Sequence, residues 1–153
     1  MQNEKGKMQS EAGRVVAAPE VGELHQRTVR ASPPRDLAER LLGFAVRVGK
    51  VVNALPASRL GRHVAAQLIR SGTSAAPNYE EGCAAESRAD FVHKLSICLK
   101  ELRESRFWIR LIVESDLLPP KKMAELQDEC GQLSKILAQC LITAKKNQRK
   151  GKT

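Results

Sequence analysis

A group of carboxylates and one histidine falls where bundled helices can bind iron. These residues are Glu80, Glu81, Glu86, Asp90 and His93. Di-iron bundles use glutamates together with two Glu-x-x-His repeats, which bring the ligands together between facing helices. This chain has one comparable spacing, Asp90-x-x-His93, and no second repeat. We therefore expect no metal site and no cofactor.

The hydroxyl and thiol side chains also lack the neighbours that nucleophilic catalysis needs. Ser71, Thr73 and Ser74 lie near Tyr79 without a base to accept a proton. The cysteines, spaced 15, 32 and 10 residues apart, form no Cys-x-x-Cys pair. We interpret them as free, buried thiols, and we expect a protein that is not an enzyme. They are Cys83, Cys98, Cys130 and Cys140.

Positive charge is the strongest functional signal in the composition. Lys and Arg total 26 against 17 Asp and Glu, giving a net charge of +9. Residues 145–153 carry five positive and no negative side chains, so we predict a flexible basic tail there. Such a tail attracts nucleic acid through counterion release, although a solubilising terminus is the alternative. Its candidate binding residues are Lys145, Lys146, Arg149, Lys150 and Lys152.

Two further sets of basic residues follow the faces of predicted helices. The second helix carries Arg59, Arg62 and Arg70, and the third carries Lys100, Arg103, Arg106 and Arg110. The third-helix set, here called the basic stripe, flanks Phe107. Basic groups beside an exposed aromatic ring can bind phosphates and stack a base. A solvated, salt-bridged face is the alternative, because Glu101 and Glu104 interrupt the stripe.

Four amphipathic segments position these residues. Apolar side chains recur every three or four residues in each, which is typical of helices with one buried face. The predicted core residues are Leu37, Leu41, Phe44, Val48, Val51 and Leu55 in the first; Leu60, Val64, Leu68, Ala75, Tyr79 and Cys83 in the second; Phe91, Leu95, Cys98, Leu102, Ser105, Ile109 and Ile112 in the third; and Met123, Leu126, Cys130, Leu133, Leu137, Cys140 and Ala144 in the fourth. We expect N-caps at Asp36, Ser58 and Ser87, a stop at Pro56, and a fourth helix beginning at Pro119-Pro120. The pattern predicts an all-α, antiparallel up-down-up-down four-helix bundle over residues 34–144.

The ends of the chain differ from the bundle. Residues 1–33 mix Gly, Ala, Glu and Pro without periodicity, so we predict a disordered leader. The N-terminus lacks an apolar run of signal-peptide length, and no segment reaches the roughly 18 apolar residues of a membrane span. We therefore expect a cytoplasmic protein with no membrane partner.

The second helix breaks ordinary helix rules. Gly72, Pro77 and Gly82 lie along its length, although an interior proline costs about 3 kcal/mol and a glycine about 1 kcal/mol. Because the apolar spacing continues beyond Pro77, we predict a helix over residues 59–85 that bends there and packs closely on its neighbours. Neighbouring hydroxyls or water should satisfy the carbonyl of Thr73, which the proline nitrogen cannot bond.

The third helix is apolar on nearly all sides. Phe107 and Leu111 point away from its predicted core face, and Trp108 and Val113 lie on its flanks. A helix of this kind is normally buried all round. We therefore predict a homo-oligomer with Phe107 and Leu111 in or next to the subunit contact. The alternative is that the leader folds back over Phe107.

The residues joining the second and third helices resemble a known family. The runs QLIRSGTSAAPNYEEG and SRADFVHKLSICLKELRESRFWIRL are similar to bacterial four-helix-bundle proteins encoded by intervening sequences in 23S ribosomal RNA genes, the S23 family. The resemblance covers about residues 36–144, and Pro77 is a variation within it. The matching motif residues are Gln67, Leu68, Arg70, Asn78, Glu81, Gly82, Asp90 and Phe91.

The resemblance implies a four-helix up-down bundle, commonly assembled as a ring-like homopentamer. The family is related to the accessory variability determinant protein of diversity-generating retroelements, which binds nucleic acid and a reverse transcriptase. Two function classes follow. One is an accessory ribonucleoprotein or retroelement-type factor that binds RNA or DNA, with a reverse transcriptase as a candidate partner. The other is a protein-binding scaffold without a nucleic-acid role.

Overall fold

Four helices make up the part of the chain that the computed structural model describes, residues 34–150. They are α1 (Pro34–Ala54), α2 (Arg59–Cys83), α3 (Arg88–Glu114) and α4 (Pro120–Lys150). No strand occurs within residues 34–150. The predicted all-α class is therefore confirmed, and the arrangement is consistent with a four-helix bundle. The predicted leader, residues 1–33, lies outside the described residues.

The helix ends follow the capping residues with one exception. The Ser58 hydroxyl accepts the Gly61 N–H at 3.0 Å, and the Ser87 hydroxyl accepts the Asp90 N–H at 3.1 Å. Each hydroxyl satisfies an N–H that has no partner within its own helix. Asp36 is not the cap that the sequence predicts, because α1 already begins at Pro34. Asp36 lies in the first turn instead, where its negative charge interacts favourably with the positive end of the helix dipole.

The fourth helix extends beyond the predicted end of the bundle. Pro120 is its first residue, as predicted, and it continues to Lys150. Residues 145–150 are thus helical, although the sequence predicts a flexible tail from residue 145. Ala144 is the last buried residue described in α4, so the helix continues past the core rather than enlarging it. The division of the chain at residue 144 otherwise stays a prediction.

The core lies along the predicted apolar lines. Leu37, Leu41, Phe44 and Val48 of α1 are buried, as are most of the expected positions of the other helices. Six predicted core residues are not fully buried. Val51, Leu55, Phe91 and Cys140 are half-buried, and Leu60 and Cys83 are exposed. The three-and-four spacing therefore identified the correct face of each helix, and the exceptions lie toward helix ends, except for Cys140.

Each helix packs against two others. Backbone contacts join α1 to α2, α2 to α3, α3 to α4, and α4 back to α1. Within the described residues, α1 has no such contact with α3, nor α2 with α4. The helices α1 and α3 therefore occupy diagonal positions, each with one side facing away from the core.

The second helix continues through Pro77 without interruption, which confirms the predicted continuity, and it ends at Cys83, two residues before the predicted end. The bend at Pro77 stays a prediction. Small residues allow close packing there. A Cβ added at Gly72 would lie 2.7 Å from Cγ1 of Val48, and one at Gly82 would lie 3.2 Å from Cβ of Lys94. Gly72 and Gly82 thus let α1 and α3 approach the backbone of α2.

The hydroxyls of this helix are not bonded as the sequence predicts. Ser71, Thr73 and Ser74 each donate to the carbonyl four residues earlier, at 3.1, 2.6 and 2.6 Å. They therefore do not serve the carbonyl of Thr73 that Pro77 leaves without its usual donor. A serine or threonine inside a helix can reach the carbonyl four residues earlier, and all three hydroxyls adopt this local geometry instead.

None of the four helices, over the residues described, is both long enough and apolar enough to cross a membrane.

Candidate nucleic-acid interface

The basic stripe of α3 lies on the surface. Lys100, Arg103, Arg106 and Arg110 are all exposed, and none forms a salt bridge with any described residue. Their spacing of three and four residues places them along one side of the helix. Four cations without an acidic partner leave their charge available to an external polyanion.

The arginines of α2 differ in how their charge is used. Arg70 is bonded to the carboxylate of Glu104, and its second nitrogen lies 3.7 Å from Oε2 of Glu101. The salt-bridged alternative thus holds for Arg70, whose charge two carboxylates offset. Arg62 donates to the carbonyl of Ala57 in the loop before α2. Arg59 is exposed and forms no salt bridge with a described residue.

Three aromatic rings meet on the α2–α3 surface. The ring of Phe107, 58% exposed, packs edge-on against Trp108 at a centroid distance of 4.9 Å. On α2, His63 packs edge-on against the same indole at 5.6 Å. The indole N–H donates to Glu104 Oε1 at 3.4 Å. His63 lies 45 positions before Trp108 in the sequence, and no spacing pattern pairs the two, so sequence patterns do not predict this contact.

The other predicted outward residue of α3 is partly buried. Leu111 is half-buried and packs against the hydrophobic core. Its helical position faces away from the core centre, but a long side chain can lean onto a neighbouring helix. Of the two residues predicted for a subunit contact, Phe107 has the more exposed side chain.

The basic residues at the end of α4 form a separate group. Lys145 and Lys146 are exposed on the helix beyond the last buried residue. Arg149 and Lys150 continue the same helix, and their side chains lie outside the described set, as does Lys152. Lys145 and Lys146 therefore lie near the C-terminal end of α4, apart from the part of the basic stripe that flanks Phe107.

The family-like motif forms the packing between α2 and α3. Ser71 and Ser105 lie buried with their oxygens 3.0 Å apart, and Cys98 Sγ lies 3.1 Å from the carbonyl of Ala75. Lys94 and Glu81 form an ion pair across the same two helices. These contacts hold two backbones close together. They contain no acid–base pair aimed at an open site.

Individual motif residues have local structural roles. The Asn78 side-chain amide donates to the Ser74 carbonyl at 2.8 Å, and the carbonyl of Gln67 accepts the Ser71 hydroxyl. Gly82 packs against Phe91 at the turn into α3. The motif therefore specifies the α2–α3 pair.

The thiols follow the sequence prediction in part. All four are free, and Cys98 and Cys130 are buried. Burial raises the pKa of Cys98 to about 12 and that of Cys130 to about 11, so both stay protonated at neutral pH. Cys83 contradicts the prediction, because it is exposed at the last turn of α2. It lines a surface cavity of 740 Å³ together with half-buried Cys140.

Over the described part of the chain, no group of three or more His, Cys, Asp or Glu side chains could hold a metal ion. The carboxylates that sequence analysis considered have other surroundings. Glu81 pairs with Lys94, and the backbone N–H of Asp90 donates to the Ser87 hydroxyl that caps α3.

Comparison with known proteins places this geometry in a family. The model of the 23S rRNA-intervening sequence protein family matches residues 36–139. A crystal structure of a protein with unknown function from the S23 ribosomal protein family of Bacteroides thetaiotaomicron VPI-5482 is similar, with a TM-score of 0.66 and 29% sequence identity. The similarity covers 71% of this chain and 96% of that one. No curated protein matches the sequence. The chain therefore belongs to the 23S rRNA-intervening sequence protein family.

Proposed function

We propose that the protein is a non-enzymatic, oligomeric nucleic-acid-binding factor that accompanies a ribonucleoprotein or retroelement in the cytoplasm. The observation that carries this proposal is a group of six exposed cations on α2 and α3, none of which forms a salt bridge with any described residue. They are Arg59, Arg62, Lys100, Arg103, Arg106 and Arg110. Neutralising phosphates with such cations releases counterions and supplies affinity without sequence preference.

The proposal includes an antiparallel up-down-up-down arrangement. Three α2–α3 contacts support it, because residue numbers rise on one helix as they fall on the other. These contacts are Ser71–Ser105, Ala75–Cys98 and Glu81–Lys94. The connections between consecutive helices span residues 55–58, 84–87 and 115–119. Connections this short favour antiparallel neighbours.

We further propose that the subunits assemble into a ring, and the family resemblance suggests five copies. Exposed apolar side chains support an assembly. Phe107 is 58% exposed, and on α1 Leu42 and Val46 are 55% and 52% exposed. Burying one such side chain contributes about 1.5–3 kcal/mol, which is repeated at every contact of a ring. The predicted contact through Phe107 and Leu111 belongs to this proposal.

The partner class follows from the charge and from the resemblance to the accessory variability determinant of retroelements. RNA or DNA is the proposed polyanion, and a reverse transcriptase is the proposed protein partner. In a ring, each basic surface is repeated, so weak attraction at one subunit becomes multivalent. The free thiols agree with a reducing compartment such as the cytoplasm.

A protein-binding scaffold is the second candidate. The exposed apolar residues of α1 and the internal pairing of Arg70 favour it. A scaffold would bind its partner with little dependence on salt, whereas a nucleic-acid-binding surface would lose affinity steeply as salt rises.

Alanine substitution of two unpaired arginines tests the proposed function. The variant Arg59→Ala/Arg106→Ala should weaken binding to a fluorescent single-stranded RNA, measured by polarisation at several salt concentrations. If each arginine neutralises one phosphate, the slope of log affinity against log salt should become less steep by about 1.4. Arg70→Ala is the matched control, because two carboxylates already offset that charge. Equal effects of the two changes, or none, would refute the assignment.

A further inference from the structure

The outward side of α3 carries a regular set of exposed residues. Spacings of three and four alternate along it, as on one face of a coiled coil. The set is Lys100, Arg103, Phe107, Arg110 and Glu114. Its charged members form no salt bridge with any described residue. The face therefore has a basic beginning, an aromatic centre and an acidic end.

The outward side of α1 carries a second set with the same alternating spacing. It is Asp36, Glu39, Gly43, Val46 and Lys50. All are exposed except Gly43, which is half-buried, and a Cβ added at Gly43 would meet no other group within 4 Å. This face therefore has an acidic beginning, a hollow centre beside Val46, and a basic end.

We propose that these two faces bind each other between neighbouring copies, with α1 of one copy parallel to α3 of the next. This inference rests on the proposed assembly and names its contact. It assigns Lys100, Arg103 and Arg110 to the contact between subunits, so that in the assembled ring Arg59, Arg62 and Arg106 remain for nucleic acid. Because the spacings are identical, one register aligns every position. The pairs are Asp36–Lys100, Glu39–Arg103, Gly43–Phe107, Val46–Arg110 and Lys50–Glu114.

Charge determines the direction of the contact. In the parallel register, Glu39 faces Arg103 at one end and Lys50 faces Glu114 at the other, so opposite charges meet at both ends. Reversing one helix would bring Lys50 against Lys100, and Asp36 against Glu114. Like charges placed together across an interface cost several kcal/mol and exclude the wrong alignment.

The centre of the contact is a match of shape. Phe107 projects from α3 with 58% of its side chain exposed, and Gly43 leaves an opening on α1. Leu42 and Val46, both more than half exposed, flank that opening and offer apolar walls. A bulky residue opposite a small one lets two helices approach closely, and a buried aromatic side chain is a frequent anchor of such interfaces.

The position of the two faces suits a ring. The helices α1 and α3 lie diagonally across the bundle without contact, so their outward sides face away from each other. In the proposed up-down topology they also run in the same direction. A ring requires two different, complementary faces on each subunit, which a head-to-tail contact of α3 with α1 provides. A two-fold, antiparallel contact of α3 with itself would instead place Arg103 of each copy against Arg110 of the other.

Filling the hollow at Gly43 tests the contact. Gly43→Leu should raise the dissociation constant of the assembly at least tenfold, measured by light scattering over a dilution series. At a protein concentration low enough that both proteins are monomeric, it should not lower the melting temperature, because the added side chain meets nothing within the subunit. Gly131→Leu on α4 is the matched control, since a Cβ added there also meets nothing within 4 Å. Gly131→Leu should leave the dissociation constant unchanged.

A charge exchange tests the register. Glu39→Arg alone and Arg103→Glu alone should each weaken the assembly, and the two together should restore it. A monomeric wild type would overturn both the assembly and this contact. An assembled wild type that Gly43→Leu leaves intact, or a double exchange that fails to restore assembly, would overturn the contact alone. Nucleic-acid binding by Arg59 and Arg106, which lie outside the paired positions, is measured separately and can succeed or fail independently.

Discussion

Adding a single methyl group at Gly72 tests whether the small residues of α2 are there for close packing. The new Cβ of Gly72→Ala would lie 2.7 and 2.8 Å from the two methyl carbons of Val48. Ordinary carbon–carbon contacts are near 3.5–4.0 Å, so α1 or α2 must shift. Such overpacking costs about 1–3 kcal/mol, while replacing a helical glycine by alanine gains about 1 kcal/mol. The net change should be a loss of about 0–2 kcal/mol.

A double-mutant cycle separates the clash from the gain in helix propensity. Val48→Ala removes the two methyl groups that the new Cβ meets, and alone it should cost about 1.5–3 kcal/mol of burial. The pair Gly72→Ala/Val48→Ala should be more stable than the sum of the single changes by about 1–3 kcal/mol. Urea unfolding followed by circular dichroism, at one fixed protein concentration, measures each free energy.

Gly131→Ala is the control for this cycle. A Cβ at Gly131 meets nothing within 4 Å, so the change should stabilise the protein by about 1 kcal/mol. If Gly72→Ala stabilises the protein as much as Gly131→Ala, or if the cycle shows no coupling, the close approach of α1 and α2 is wrong.

Three further predictions concern a loop, a cap and the buried thiols. Gly61→Ala should lower the unfolding free energy by about 1–3 kcal/mol in the same urea assay, because the added Cβ would lie 2.0 Å from the backbone oxygen of Pro56; an unchanged value would contradict this. Ser87→Ala should lower the melting temperature and reduce the unfolding free energy by about 1 kcal/mol, because it removes the hydroxyl that caps α3. A loss no larger than that for an exposed serine that caps no helix would refute this role. Stability should also fall above pH 9, because unfolding returns the pKa of Cys98 and Cys130 from about 12 and about 11 to the ordinary 9.0. The unfolded chain then releases thiol protons that the folded chain retains, which costs about 1.4 kcal/mol per thiol at pH 10. The variant Cys98→Ala/Cys130→Ala should show a shallower decline, and an identical decline would contradict the burial.

Local signals in the sequence were sufficient for the helices and their buried faces. The spacing of Leu37, Leu41 and Phe44 identified the core side of α1, and Ser58 and Ser87 marked two helix starts. These features depend on residues within one or two turns of each other. Helix continuity through Pro77 was likewise predictable, because the apolar spacing resumes beyond it.

Features that depend on contacts between helices were not predictable. Arg70 was grouped with the free cations, but its partner Glu104 lies 34 positions away on another helix. His63 gained an aromatic neighbour in the same way. Cys83 was expected to be buried because it continues an apolar line, yet it is exposed at the last turn of α2. Pairing across the bundle is a tertiary property that periodicity alone does not encode.

The salt dependence of nucleic-acid binding by the full chain tests the central claim most directly. Polarisation of a labelled single strand and of a duplex is measured from low to physiological salt. If about five phosphates are neutralised, log affinity should fall with log salt at a slope of about −3.5 for the strand and about −4.5 for the duplex. An affinity that does not change with salt, or no binding at low salt, would contradict the account and favour the protein-binding scaffold.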